Sequence, residues 1–165
     1  MKTVILIRHA KSSWKDESLD DFDRPLNKRG KREAPIMAEH LKSQNIEVEK
    51  IFSSPAKRAK KTAKIFAEIL ETKVEYFDEL YDPFAEEILE VINEKIKQHD
   101  VIAIVSHNPE LTELCNEISD REIDNIPTSA YVILECEIDE VEEDSCRVVD
   151  FAYPKREDIA VKIDQ

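Results

Sequence analysis

Hydrophobic and polar positions along the chain follow two rhythms, which predict strands and helices in turn. Short apolar runs bounded by polar residues predict buried strands at residues 4–7, 48–52, 74–77 and 101–105. Two later segments, residues 131–138 and 147–153, alternate apolar and polar positions and predict two further strands joined by an acidic turn.

Between the strands, apolar residues recur about every 3.6 positions and predict amphipathic helices. These helices are expected from Asn27 to about Ser43, after Ser54 and Pro55, across residues 85–97, and after Asn108 and Pro109. Asn27, Ser54 and Asn108 are the predicted N-caps. Pro35 lies inside the first pattern and predicts a kink or a late start. The tail from Lys155 is expected to be a surface extension. Because strands and helices alternate, the sequence predicts an α/β fold in one layered domain spanning residues 1–165.

Charge is distributed unevenly. Residues 1–70 hold 16 Lys and Arg against 10 Asp and Glu, whereas residues 71–165 hold 8 against 27, and the whole chain carries a net charge of −13. An overall acidic surface disfavours nucleic acid and anionic membranes as partners. No run approaches the about 20 apolar residues that a membrane span requires. The local positive charge suits a phosphorylated substrate, although solvated lysine-rich helix faces account for much of it.

Cysteine and glycine usage narrows the chemistry further. The three cysteines, Cys115, Cys136 and Cys146, show no Cys-x-x-Cys spacing, which predicts reduced thiols and a cytoplasmic location. The apolar stretch at the amino terminus is too short for a signal peptide. The single glycine, Gly30, excludes a glycine-rich phosphate loop, so side chains and helix N-termini have to hold any phosphate.

Positively charged and imidazole side chains follow three of the predicted strands. The first strand ends in Arg8 and His9, the second leads to Arg58, and the fourth ends near His107. Ligands of open α/β sheets bind beyond the carboxyl ends of the strands, so these residues are expected to share one pocket. Guanidinium groups bind phosphoryl oxygens in pairs, and a histidine can attack phosphorus and carry the group covalently.

Other histidines and arginines have simpler explanations. His40, on a Lys- and Glu-rich helix, and His99, at a helix end, are expected to face solvent. Arg24 can pair with the acids in the loop at residues 16–23. His9 and His107 can pair on zinc, but the flanking arginines would repel a cation. We therefore expect neither a metal nor a cofactor.

Three segments together resemble the signatures of the histidine phosphatase (phosphoglycerate-mutase-like) superfamily. They are Arg8-His9-Ala10, residues 53–59 with Thr62, and Val105-Ser106-His107-Asn108, with Ala10 in place of the glycine of the commonest first motif. Residues 8–14 and 24–30 look more like the short phosphohistidine phosphatase branch named SixA. The resemblance runs from residue 1 to about residue 135. It implies a single three-layer domain with a central, mostly parallel sheet flanked by helices.

The resemblance also implies roles for individual residues. His9 would be the nucleophile, Arg8 and Arg58 would bind the phosphoryl oxygens, and His107 would stabilise the transition state; the SixA branch adds Arg24 as a phosphate contact. Many members use an acid in the loop after the third strand, where Glu79 and Asp82 lie, but the short branch commonly lacks one.

The implied activity is a metal-independent phosphatase that acts on phosphohistidine in a protein. The alternatives are a phosphatase of small phosphate esters and a binding module for phosphorylated ligands without turnover. The oligomeric state is left open.

Overall fold

Every apolar run predicted as a strand takes part in one sheet. The computed structural model describes residues 1–137 and 139–163. Within them the strands are β1 (Lys2–Arg8), β2 (Lys50–Ser53), β3 (Val74–Tyr76), β4 (Val101–Ser106), β5 (Tyr131–Cys136) and β6 (Cys146–Ala152). They form a six-stranded sheet in the order β3-β2-β4-β1-β5-β6. The strand predicted for residues 131–138 ends at Cys136, and Ile138 lies outside the described residues.

Strand directions bring three strand exits to one edge. β1 and β2 both pair with β4 in parallel, and β3 pairs with β2 in parallel. β5 runs antiparallel to β1, and β6 antiparallel to β5. Because β4 lies between β1 and β2, the residues that follow these three strands emerge side by side.

Helices cover both faces of the sheet. In the described part of the chain they are α1 (Lys28–Lys42), α2 (Lys57–Leu70), α3 (Ala85–Lys95), α4 (Glu110–Ile118) and α5 (Glu157–Ile163). The alternating side chains of β1 show the layering, since Ile5 and Ile7 pack with α1, α2 and α5, whereas Val4 and Leu6 pack with α3 and α4. The predicted three-layer α/β fold is confirmed. None of the helices described is both long and apolar enough to cross a membrane.

The first helix is fixed at its start by a cap and a close backbone contact. The Asn27 side chain accepts a hydrogen bond from the Gly30 amide at 2.8 Å, which confirms Asn27 as the N-cap. The helix runs through Pro35, so the expected late start is wrong. A Cβ at Gly30 would overlap the carbonyl oxygen of Lys11, which explains why a glycine stands there.

The other two caps differ from the prediction. α2 begins at Lys57, and Ser54 is not its N-cap. The Ser54 hydroxyl instead accepts a hydrogen bond from the Ala56 amide at 3.2 Å, before the helix starts. The Asn108 side chain accepts from the Thr112 amide at 3.1 Å, so it still satisfies the first turn of α4, one residue further from the helix than predicted.

Three expectations for the surface and the thiols are wrong. The tail from Lys155 is not only a surface extension, because it forms α5, which packs with α1 and buries Ile159 completely. His40 is not a solvent histidine: it is buried, and its Nδ1 lies 2.6 Å from the Tyr131 hydroxyl. Cys136 and Cys146 face each other across β5 and β6 and form a disulfide, which leaves Cys115 as a buried free thiol.

Candidate active site

His9 follows β1 directly and lies between β1 and β4. Its amide donates to the Ser106 carbonyl at 3.2 Å, and its side chain is buried. Nδ1 lies 2.8 Å from the Ala10 carbonyl, which can only accept, so Nδ1 carries the proton and Nε2 keeps a free lone pair. Burial above all, together with the positive charge of Arg58, lowers the pKa of His9 well below the ordinary value of 6.5. The ring is therefore neutral at neutral pH, which is the state a nucleophile requires.

His107 lies opposite His9 at the end of β4. The two ring centroids are 5.0 Å apart with an interplanar angle of 53°. Nε2 of His107 lies 2.8 Å from the Ser54 hydroxyl, and among the described residues its buried Nδ1 has no hydrogen-bond partner. Burial, followed by the charge of Arg58, lowers the pKa of His107 to about 3. Both imidazoles are therefore neutral and face one small volume.

Arg58 lies in the first turn of α2 and is held by the loop before α1. Its two terminal nitrogens donate to Asp21, one to the carbonyl at 2.7 Å and one to the carboxylate at 3.0 Å. Asp21 also accepts from the Tyr81 hydroxyl at 2.9 Å and from Nε of Arg24 at 3.1 Å. Partial burial raises the pKa of Asp21, but the hydrogen bonds from Tyr81 and Arg58 outweigh it and lower the pKa to about 2. Asp21 is thus an anion that fixes Arg58.

The site contains buried donors that nothing in the described chain satisfies. Nε of Arg8 and Nε of Arg58 are both buried without a hydrogen-bond partner, and so is the Ser129 hydroxyl. Arg8 is anchored through Nη1, which donates to the Ile126 carbonyl at 3.0 Å. The Ser129 amide donates to the carbonyls of both Arg8 and His9 at 3.2 Å. Because unpaired buried donors are costly, this set fits an oxyanion ligand that accepts from them.

Arg24 forms the salt bridge that was one of its two predicted roles. Its Nη2 lies 3.1 Å from the Asp21 carboxylate, and its Nη1 donates to the Ser12 hydroxyl at 2.7 Å. The guanidinium carbon lies 3.5 Å from the centroid of the exposed Trp14 ring. The positive charge of Arg24 contributes to the low pKa of His107, so it acts on the site electrostatically. A direct phosphate contact for Arg24 stays a prediction.

Thr62 joins the first and second strand exits. Its hydroxyl accepts from the Ala10 amide at 2.9 Å and donates to the Arg58 carbonyl at 2.7 Å. The residue after His9 is thereby tied to the turn that carries Arg58. This link explains why a threonine one turn beyond Arg58 belongs with the second motif.

Glu79 and Asp82 lie on the surface near the site. Both are exposed, and in the described structure neither forms a hydrogen bond or an ion pair with Arg8, His9, Arg58 or His107. The residue between them that reaches the site is Tyr81, whose ring centroid lies 5.7 Å from that of His107. Across residues 1–137 and 139–163, no group of three or more His, Cys, Asp or Glu side chains is placed to hold a metal ion.

Sequence reasoning missed Asp21, Tyr81, Ser54 and Ser129. Asp21 and Tyr81 come from loops without periodicity, and they meet Arg58 only after folding. The one signal available was the run of acids at residues 16–23, which was weighed as a partner for Arg24 and not for Arg58.

Comparisons with known proteins agree with this geometry. The model of the histidine phosphatase superfamily (branch 1) matches residues 4–83. An uncharacterised chloroplastic protein of Arabidopsis thaliana is 46% identical over 63 residues, which are 38% of this chain and 29% of that protein. An uncharacterised protein of Mycobacterium leprae is 28% identical over 163 residues, which are 90% of this chain and 100% of that protein. The chain therefore spans less than a third of the first relative and all of the second.

Solved structures share the fold over almost the whole chain. A candidate phosphohistidine phosphatase SixA of Agrobacterium tumefaciens superposes with a TM-score of 0.82 at 27% identity, over 93% of this chain and 98% of that chain. The protein histidine phosphatase SixA complexed with tungstate gives a TM-score of 0.75 at 23% identity, over 92% and 94%. A phosphoserine phosphatase of Entamoeba histolytica complexed with 3-phosphoglyceric acid gives 0.71 at 16% identity, over 94% and 98%. The last two show the fold alone.

Proposed function

Since residues 4–83 match the model of the histidine phosphatase superfamily (branch 1), we propose that the chain hydrolyses phosphohistidine on a protein through a covalent intermediate on His9. The observation that carries the proposal is the state of His9, which is buried, neutral and committed through Nδ1 to the Ala10 carbonyl. Its free Nε2 is the proposed nucleophile. We assign residues 1–165 to one catalytic domain. The similarity to SixA at 27% identity favours a phosphohistidine substrate over a phosphate ester.

In the proposed first step, Nε2 of His9 attacks the phosphorus atom of the substrate. The new N–P bond forms as the N–P bond of the substrate breaks, and the bonding electrons stay on the leaving imidazole. When the other nitrogen of that imidazole is already protonated, it leaves as a neutral base, so no proton has to be supplied. Arg8 and Arg58 bind the phosphoryl oxygens through donors that include their unpaired Nε groups.

In the proposed second step, water attacks the phosphorus atom of phospho-His9. The N–P bond breaks, its electrons return to Nε2, and both protons of the water stay with the released phosphate. His107 supports both steps. If the Ser54 hydroxyl donates to Nε2, the buried Nδ1 of His107 carries the proton and donates to a phosphoryl oxygen.

The proposed preference for phosphohistidine rests on the carboxyl groups near the site in residues 1–137 and 139–163, none of which is placed to donate a proton to the leaving group. Asp21, the carboxyl group bonded to Arg58, has a pKa of about 2 and is an anion at neutral pH. Glu79 and Asp82 are exposed, and in the described structure neither forms a hydrogen bond or an ion pair with His9 or His107. The conjugate acid of the leaving imidazole has a pKa of about 6.5, whereas a serine alkoxide is far more basic and needs a proton from the enzyme.

The test compares three substrates under one set of conditions. A histidine-phosphorylated phosphotransfer domain and p-nitrophenyl phosphate are expected to be hydrolysed at least about 100-fold faster than phosphoserine, because both release a weakly basic leaving group. The Glu79→Gln and Asp82→Asn variants are the matched controls, and both are expected to keep the wild-type rates. Activity is also expected to survive EDTA.

Rapid phosphoserine hydrolysis that disappears in one of the two variants would show a general acid. The substrate class would then be small phosphate monoesters. Binding of the phosphorylated domain without any release of phosphate would favour the non-catalytic binding module.

A further inference from the structure

Five exposed lysines surround an open cavity of about 500 Å³ next to the candidate site. We call them the lysine surface: Lys31 of α1 and Lys57, Lys60, Lys61 and Lys64 of α2. Within the described chain none of the five forms a salt bridge. The lysines that do form one are Lys2, Lys50 and Lys95. The lysine surface is therefore a block of positive charge without internal compensation.

The spacing of these lysines is unfavourable for the helix that carries them. Positions 57, 60, 61 and 64 lie on one face of α2, and like charges three or four residues apart destabilise a helix. Cations in the first turns also oppose the helix dipole. The first acidic residue of α2 is Glu68, although residues 71–165 hold 27 acids. A partner with negative charge would relieve this repulsion.

The lysine surface is continuous with the phosphate-binding residues. Lys57 and Arg58 are neighbours in α2, with Lys57 exposed and Arg58 buried in the site. On the other side, the cavity is lined by Pro25, which follows Arg24. The molecule that carries a phosphoryl group bound at Arg58 would therefore lie against these lysines.

We propose that the lysine surface binds an acidic patch that surrounds the phosphohistidine of the partner protein. This inference rests on the proposed function and names the partner by its chemistry. The four lysines of α2 extend over about 10 Å of helix, which is longer than a phosphate monoester. A net charge of −13 over the whole chain makes nucleic acid a poor alternative occupant.

The experiment reverses charge at the lysine surface and at a matched distant pair. Lys61→Glu/Lys64→Glu is compared with Lys42→Glu/Lys73→Glu, whose exposed lysines lie at the end of α1 and just before β3, at the opposite edge of the sheet. The probes are a histidine-phosphorylated phosphotransfer domain with acids around its phosphohistidine, and p-nitrophenyl phosphate. Circular dichroism and Tm verify that both variants fold.

Lys61→Glu/Lys64→Glu is expected to lower kcat/KM for the phosphorylated domain about 20-fold, mainly through KM, and to weaken its dependence on salt. Hydrolysis of p-nitrophenyl phosphate should stay at the wild-type rate, and the distant pair should behave as wild type on both probes. Replacing the acids of the partner by lysines should restore activity to the Lys61→Glu/Lys64→Glu variant.

An unchanged kcat/KM for the phosphorylated domain would overturn the inference, as would an equal loss on both probes. If the lysine surface binds DNA, or a second copy of the chain in sedimentation runs, and the phosphorylated domain is unaffected, the inference is also overturned. A wild-type protein that leaves the phosphorylated domain intact would defeat the proposed function itself, which separates the two failures.

Discussion

Two clusters of polar side chains flank the sheet, and they differ in how fully their hydrogen-bonding atoms are paired. One is the candidate site around His9 and His107. The other, which we call the His40 cluster, joins α1, β5, β6 and α5. It consists of His40, Tyr131, Asp150, Arg156 and Asp158.

The His40 cluster satisfies its own polar atoms. Nδ1 of His40 lies 2.6 Å from the Tyr131 hydroxyl, and Nε2 lies 3.4 Å from the Asp158 carboxylate. Each side-chain nitrogen of Arg156 has a partner, among them Asp150 at 2.8 Å and Asp158 at 2.8 Å. The hydrogen bonds that Arg156 donates to Asp158 raise the pKa of Arg156, so the guanidinium stays a cation.

The candidate site, in contrast, contains buried polar atoms without partners among the described residues. It leaves a nitrogen of Arg8, one of Arg58 and one of His107 buried without a partner in the described chain. A buried unpaired donor costs about 1–3 kcal/mol, so such a set destabilises the unliganded fold. The paired network therefore connects α1, β6 and α5, whereas the unpaired donors of the candidate site are suited to an oxyanion ligand.

Removing one histidine from each cluster is expected to give the largest difference between the two, in activity for one and in stability for the other. His9→Ala is expected to lower kcat at least about 1000-fold, because the nucleophile is lost, with little change in Tm. His40→Ala is expected to keep kcat and to lose about 3 kcal/mol of stability, since Tyr131 is left unpaired in the core. That loss corresponds to a fall in Tm of roughly 6–12 °C.

Steady-state kinetics and thermal unfolding of the two variants provide the readouts. The comparison would fail if His9→Ala kept most of its activity, or if His40→Ala unfolded at the wild-type Tm.

A conservative change at each arginine sharpens the comparison. Arg58→Lys is expected to lose about 2–4 kcal/mol of transition-state stabilisation, roughly 30- to 800-fold in kcat/KM, because lysine lacks the planar fork. Arg156→Lys should lower Tm and leave kcat/KM unchanged. A loss below about tenfold in Arg58→Lys would place this residue outside the phosphate site.

The smallest expected effect is a shift in the titration of His9. Burial and neighbouring positive charge disfavour the protonated ring, so its pKa in the free enzyme lies below 6.5. Replacing Arg58 by Gln removes one of these charges and should raise the pKa of His9 towards 6.5. Imidazole NMR titration of the wild type and of Arg58→Gln measures both values. A His9 pKa at or above 6.5 in the wild type would contradict the neutral nucleophile.

The strands and the site residues that follow them were predictable, because each is indicated by a pattern within a short stretch of sequence. The runs that became β1 and β4 are apolar without interruption, as buried parallel strands require. Arg8, His9 and His107 stand at the ends of these runs, and Arg58 follows β2 at the start of α2, so their convergence followed from the rule that parallel strands end at one edge.

Contacts between distant segments were not predictable. Asp21 meets Arg58 across 37 positions, and His40 meets Tyr131 across 91, so no local pattern reports either pair. α5 carries a single fully buried apolar side chain, Ile159, which is too little periodicity to predict docking. Cys136 and Cys146 are paired by the strand register, which the spacing alone does not give.

The central claim is that His9 carries the phosphoryl group, and trapping the intermediate tests it most directly. The wild-type protein is mixed with a radiolabelled histidine-phosphorylated domain, quenched in alkali within the first turnover, digested and mapped by mass spectrometry. We expect one acid-labile phosphoryl group on His9, absent from His9→Ala and present at normal yield in His40→Ala. Label on any other residue, or rapid turnover by His9→Ala, would contradict it.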